Sequence, residues 1–131
     1  MSQYQVTRTI RRLLGLAVLA MPVPLAIAHH SAAMFNSNEV RELNGTVKEF
    51  QFTNPHTWIQ VMVPGADGKD VEWSLEWGSP NQLGRQGVRP ASFPPGAKVT
   101  IRTNPMLDGT PAGLFIGARF EDGTVVGRWQ E

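Results

Sequence analysis

The sequence predicts an all-β fold for the stretch after residue 42, and three observations predict it. Apolar side chains recur there with period two, the spacing of half-buried strands. Gly, Pro, Asn and Asp cluster between these runs as turn chemistry. Helix-start chemistry stands at one place, Ser79-Pro80-Asn81-Gln82, and Gly84 and Gly87 follow it closely.

Each element follows in chain order. The first strand begins near Leu43. Its apolar residues change phase from Val47 to Phe50 and Phe52, a break that predicts a bulge bending a long strand. Thr53-Asn54-Pro55-His56 reads as a turn. From Trp58 to Val63 a second strand places Ile59, Val61 and Val63 on one face and Trp58, Gln60 and Met62 on the other. Pro64 to Lys69 is a hairpin connection. The third strand, Val71 to Trp77, turns Val71, Trp73, Leu75 and Trp77 inward and Glu72, Ser74 and Glu76 outward.

Ser79 is placed to cap the helix, Pro80 suits its first position, and Gln82 completes a capping-box pattern. Phe93-Pro94-Pro95-Gly96 reads as a tight turn into a fourth strand, Lys98 to Thr103. A loop rich in Pro and Gly runs from Asn104 to Gly113. Leu114–Phe120 and Thr124–Trp129 then pair across Glu121-Asp122-Gly123. Three strands, a short helix and two or three more strands make the order of a small OB-like barrel of five or six strands, with the helix between strands three and four. A small open sandwich is the alternative. Trp58, Trp73, Trp77 and Trp129, with Phe50, Phe52, Phe115 and Phe120, suffice to fill such a barrel.

Composition narrows the function. The chain has 131 residues, the size of one domain. It has no Cys, which excludes disulfides, Cys-ligated zinc, iron–sulfur clusters, a thiol nucleophile and a lipoprotein cysteine. Residues 1–28 read as a cleaved secretory signal. Arg8, Arg11 and Arg12 open it without an acidic residue, a 13-residue apolar stretch runs from Leu13 to Leu25, and Ala26-Ile27-Ala28 forms the cut. A membrane span needs about 18–25 apolar residues, and Pro22 and Pro24 interrupt this one; no stable span is expected after cleavage. Arg11-Arg12 raises a twin-arginine route, but the surrounding residues favour general secretion. The expected location is the periplasm or another exported site. After the cut, nine of the 12 basic residues and all 11 acidic ones remain, a net charge of about −2. Such a domain is a poor partner for nucleic acid, whose phosphates need clustered Lys and Arg.

Residues 29–42 read as an extended arm leading into the barrel domain, 43–131. A cut after Ala28 makes His29 and His30 the first two residues. A free amino-terminal His offers its α-amine and a ring nitrogen as a chelate, and with a further imidazole it suits divalent copper. His56 is the remaining imidazole, and Met34 and Met62 are soft thioethers suited to monovalent copper. A cut one residue earlier would create Ala-His-His, another copper and nickel chelate. The plain alternative is a solvated terminus and a His that caps a turn.

Trp58 stands two residues from His56 and either covers the barrel mouth or stacks on a ligand. Glu72 and Glu76 resemble an acid–base pair, yet four strand residues separate them by about 13 Å. Glycosidase carboxylates stand roughly 5–9.5 Å apart, so a solvated sheet face is the better reading. Neither a nucleophile elbow nor a phosphate-cradling loop nor a His-Glu-x-x-His motif is present. Classical catalysis is disfavoured.

His29-His30-Ser31, Thr53-Asn54-Pro55-His56-Thr57-Trp58, and Trp73 through Gly78-Ser79-Pro80-Asn81 resemble a family of small exported bacterial proteins, domain of unknown function 6152. Leu83, Arg85, Gly87, Pro95-Gly96 and Asp108-Gly109 extend the likeness over nearly the whole mature chain. The family usually carries Phe directly after His-His-Ser; here Ala32 follows and Phe35 comes later. The resemblance implies a bacterial envelope protein and supplies no activity. Two functions remain in competition. One is an exported binding module with copper held by His29, His30 and His56. The other is a metal-free module that binds an envelope protein or small ligand around Trp58, Glu72, Glu76 and Arg85.

Overall fold

The structure is a computed structural model that describes residues 32–129. Residues 1–28, read from the sequence as an export signal, and His29 and His30 lie outside the described residues. Six strands follow in order: β1 (Arg41–Gln51), β2 (Trp58–Pro64), β3 (Asp70–Glu76), β4 (Lys98–Pro105), β5 (Ala112–Phe120) and β6 (Val125–Gly127). The α-helix among the described residues, α1 (Pro80–Arg85), lies between β3 and β4. β1 pairs antiparallel with both β2 and β4, β2 with β3, and β4 with β5. A short parallel ladder, Ser74–Glu76 against Ala112–Leu114, joins β3 to β5. The result is a closed five-stranded barrel with β6 added to β5, the predicted OB-like order.

The phase change in β1 is a bulge. Val47 opposes Val61 and Glu49 opposes Gln60, so Lys48 is the extra residue. Upstream, Leu43 and Val47 enter the core; downstream, Phe50 takes over. Gly45 supports the bend by omission. A Cβ there would stand 2.5 Å from the Met62 carbonyl oxygen and 2.7 Å from Val61 Cγ1.

Inside the barrel, Ile59, Val61, Leu75 and Ile101 are fully buried, each gaining about 1.5–3 kcal/mol from leaving water. Phe93, read from the sequence as part of a turn, is instead a centre of the core, 1% exposed. Its ring lies 5.0 Å from Phe50, 5.5 Å from Phe120 and 5.7 Å from Phe115. A 3-10 turn at Pro90–Ser92 delivers it there.

The helix starts as its sequence requires. The Ser79 hydroxyl accepts from the Gln82 amide at 3.4 Å, with Pro80 in the first turn. Gly87, at φ +88°, ends it. The Gly87 N–H donates to the Gly84 carbonyl and the Val88 N–H to the Leu83 carbonyl, the paired bonds of a glycine-terminated helix. At the other end of the domain β6 is shorter than expected. Gly127 has φ +81°, a left-handed turn that ends extended pairing after three residues. β4 and β5 run longer than expected, because a bulge between Arg102 and Thr103 carries their pairing on to Pro105 and Gly113.

The described part of the arm is not extended throughout. It opens as a 3-10 turn at Ala32–Met34 and then lies against the β4–β5 loop. Phe35 is buried and bridges Met106, the Leu107 N–H donates to the Met34 carbonyl, and the Asn36 N–H donates to the Pro105 carbonyl. Phe35 thus anchors the arm from its place four residues after Ser31.

Candidate functional site

The hairpin between β2 and β3 sets the geometry of the site. Pro64 opposes Asp70 across the turn, and the same register brings Trp58 opposite Glu76, Gln60 opposite Ser74, and Met62 opposite Glu72. These six side chains share the barrel's outer face, because their neighbours Ile59, Val61 and Leu75 point into the core.

The β1–β2 loop closes over one end of that face. Its Asn54–Pro55 peptide is cis. Thr57, fully buried, ties the loop to Trp77 and Gly78, the segment that follows β3's last residue. The Thr57 N–H and Oγ1 both donate to the Gly78 carbonyl, at 3.0 and 3.1 Å, and the Trp77 N–H donates to the Thr57 carbonyl at 2.9 Å. His56 is thereby carried onto Glu76, with Nδ1 against Oε1. The Glu76 side chain is 8% exposed and the His56 side chain 36%. An imidazole nitrogen facing a carboxylate carries the hydrogen and donates it, which sets the ring's tautomer and plane. The Thr-Asn-Pro-His-Thr-Trp and Trp-Gly-Ser-Pro-Asn blocks therefore meet in space.

Glu76 departs from its expected setting. It does occupy the outer face, as the alternation required, but it is buried and not solvated. Alternation assigns a face and says nothing of what covers it; here the β1–β2 loop does. Glu72, on the same face, is exposed and pairs with Lys48, the bulge residue, at 2.6 Å.

The proposed ligands and contacts are spread over the domain. Trp58 and Glu76 are cross-strand partners beside His56. Glu72 and Met62 oppose each other four positions along the hairpin, about 13 Å from Trp58 and Glu76. Met34 sits in the arm, 39% exposed and beside Leu107. Arg85 is exposed in the last turn of α1. No group of three His, Asp or Glu suited to a metal occurs among the described residues; His29 and His30 are outside them.

Gln60 and Ser74 are site residues that the sequence reading passed over. The Ser74 N–H donates to the Pro111 carbonyl at 3.1 Å, so the β4–β5 loop borders the face from the side opposite the hairpin's β2 strand. Their signal was available. Centring the turn between Pro64 and Asp70 fixes every pair up to Trp58 and Glu76.

No helix among the described residues is long and apolar enough to cross a membrane. A family model described as a family of unknown function, DUF6152, matches residues 16–116. Neither a curated protein nor a solved structure matches the chain.

Proposed function

The chain belongs to this family of unknown function, and from that premise we propose that it is an exported binding module that holds copper. The ligands in this reading are the amino-terminal His29, followed by His30, and the imidazole of His56. The signal-like first 28 residues support export. The donor chemistry of a free amino-terminal His supports divalent copper.

The observation that carries the reading is the Glu76 carboxylate on His56 Nδ1. Metal-binding histidines almost always donate their other ring N–H to a carboxylate or carbonyl, which orients the ring and raises its basicity. A ring held this way ligates through Nε2. Burial of Glu76 strengthens the contact, since a carboxylate removed from water interacts more strongly with its donor.

The test uses mature protein beginning at His29 with no added residue. Divalent copper is titrated by calorimetry, and the complex is read by electron paramagnetic resonance. Tight one-to-one binding with a nitrogen-rich spectrum is expected, weakened by one added residue before His29 and by His56→Ala. Weak, nonstoichiometric binding, or binding indifferent to His56→Ala, would sink the three-histidine model.

A second reading has its own support. Trp58, Gln60, Ser74 and Glu76 lie on the β2–β3 face, bordered by the β1–β2 and β4–β5 loops. OB-folds commonly bind ligands on this face. In that reading the module takes an envelope protein or small ligand without metal. Retention of a partner by protein lacking residues 29–36, with loss on Trp58→Ala, would favour it.

A further inference from the structure

We propose that a second cleft, on the seam that closes the barrel, binds a small apolar carboxylate. The seam leaves a gap by construction. β3 accompanies β5 only as far as Glu76 opposite Leu114, and β6 joins β5 only from Gly127 opposite Gly117. Between these points the edge of β5 at Phe115 and Ile116 borders a cleft of about 490 Å³, with α1 as its other wall. Small-ligand sites run from about 300 to 1,000 Å³, mostly apolar with a few converging polar groups.

The lining here divides about evenly between apolar and polar surface. Trp77, Leu114 and Ile116 present half-buried apolar surface. The Trp77 ring is seated on Phe115, with centroids 4.5 Å apart, and meets Phe93 edge-on at 6.3 Å. Its plane is therefore set by the core before any ligand arrives. Gln82 and Gln86 contribute carboxamides from α1. Arg128 is the one charged residue among the described residues lining the cleft. Its backbone N–H donates to the Ile116 carbonyl at 2.9 Å, which holds the residue at the cleft's edge.

The apolar surface of Trp77, Leu114 and Ile116 beside the cationic Arg128 suits an occupant with an apolar body and one anionic head. A carboxylate suits the guanidinium because the two planar groups match in a paired hydrogen-bond fork. A neutral molecule of the same shape would forgo that pairing. This site shares no residue with the copper site proposed above and does not depend on it.

The probes are 2-naphthoate and its neutral counterpart 2-naphthamide, titrated into mature protein by calorimetry and followed by the Trp77 indole resonance. Saturable one-to-one binding of naphthoate that moves this resonance is expected, with naphthamide about 1.5-fold to fivefold weaker, the range for one partly exposed ion pair. Arg128→Gln should erase that preference, and Ile116→Asp should abolish naphthoate binding. Gln86→Asp, at an exposed position on the cleft wall, brings the same repulsive charge if Ile116→Asp fails to fold. Absence of saturable binding would overturn the proposal. So would an unmoved Trp77 resonance, or a preference for the anion that survives Arg128→Gln.

Discussion

Glu72 and Glu76 stand on the same face of the same strand, four residues apart, yet they live in different solvents. Glu72 is 42% exposed and meets the flexible amine of Lys48. Glu76 is 8% exposed and meets the ring of His56. The difference comes from the chain opposite. At the Glu72 end, the β1 bulge presents a long side chain across open surface. At the Glu76 end, the β1–β2 loop is pinned by three hydrogen bonds between Thr57 and the Trp77–Gly78 backbone, and it covers the carboxylate. Alternation along a strand chooses a face; the neighbouring loop chooses the dielectric.

The largest expected effect tests the buried pair. In a double-mutant cycle built from His56→Ala and Glu76→Gln, unfolding in urea should give a coupling of about 1–3 kcal/mol, the range for hydrogen bonds to charged groups and for buried polar groups stripped of a partner. His56→Ala should be the costlier single change, because it leaves an acceptor-only carboxylate in place with little water. A coupling indistinguishable from zero would mean that the loop is held by Thr57 alone and that Glu76 does not position the ring.

The exposed pair supplies the contrast. The same cycle on Lys48→Ala and Glu72→Ala should give a coupling of roughly 0.2–1 kcal/mol, as for solvent-exposed ion pairs. It should shrink further in high salt, because exposed charges are screened. Equal couplings for the two pairs would break the comparison, since burial would then have added nothing.

Much of this geometry was legible beforehand, and what was not has physical reasons. The switch from Val47 to Phe50 announced the β1 bulge, because period two cannot survive one extra residue. The β2–β3 turn fixed the pairing that sets Trp58 against Glu76. Ser79, Pro80 and Gln82 marked the helix start. Phe93 was hidden, since turn residues on its C-terminal side masked a core aromatic delivered by a 3-10 turn. Glu76 was hidden for another reason: the loop that covers it is held by three non-local bonds between Thr57 and the Trp77–Gly78 backbone, and no pattern within β3 encodes them. The seam cleft was likewise invisible, because it arises where two strands stop short on a third.

A third carboxylate extends the comparison to one held by backbone instead of by a side-chain cation. Asp122, in the β5–β6 turn, accepts from the Thr124 N–H at 2.8 Å. That backbone bond, aided by the Thr124 side chain, holds its pKa below the ordinary aspartate value. Lowering the folded-state pKa makes the carboxylate stabilising above its unfolded pKa, and the contribution disappears as pH falls through the folded one. The turn should therefore loosen only at the acid edge, below the usual aspartate range, and the group's full exposure keeps the effect the smallest of the three. Amide exchange at Thr124 followed across acidic pH should show this in the native chain and lose the pH step, though not all protection, in Asp122→Asn. Protection that declines identically in both proteins would assign the turn's order to the Phe120–Thr124 backbone bond and leave the carboxylate without a part in it.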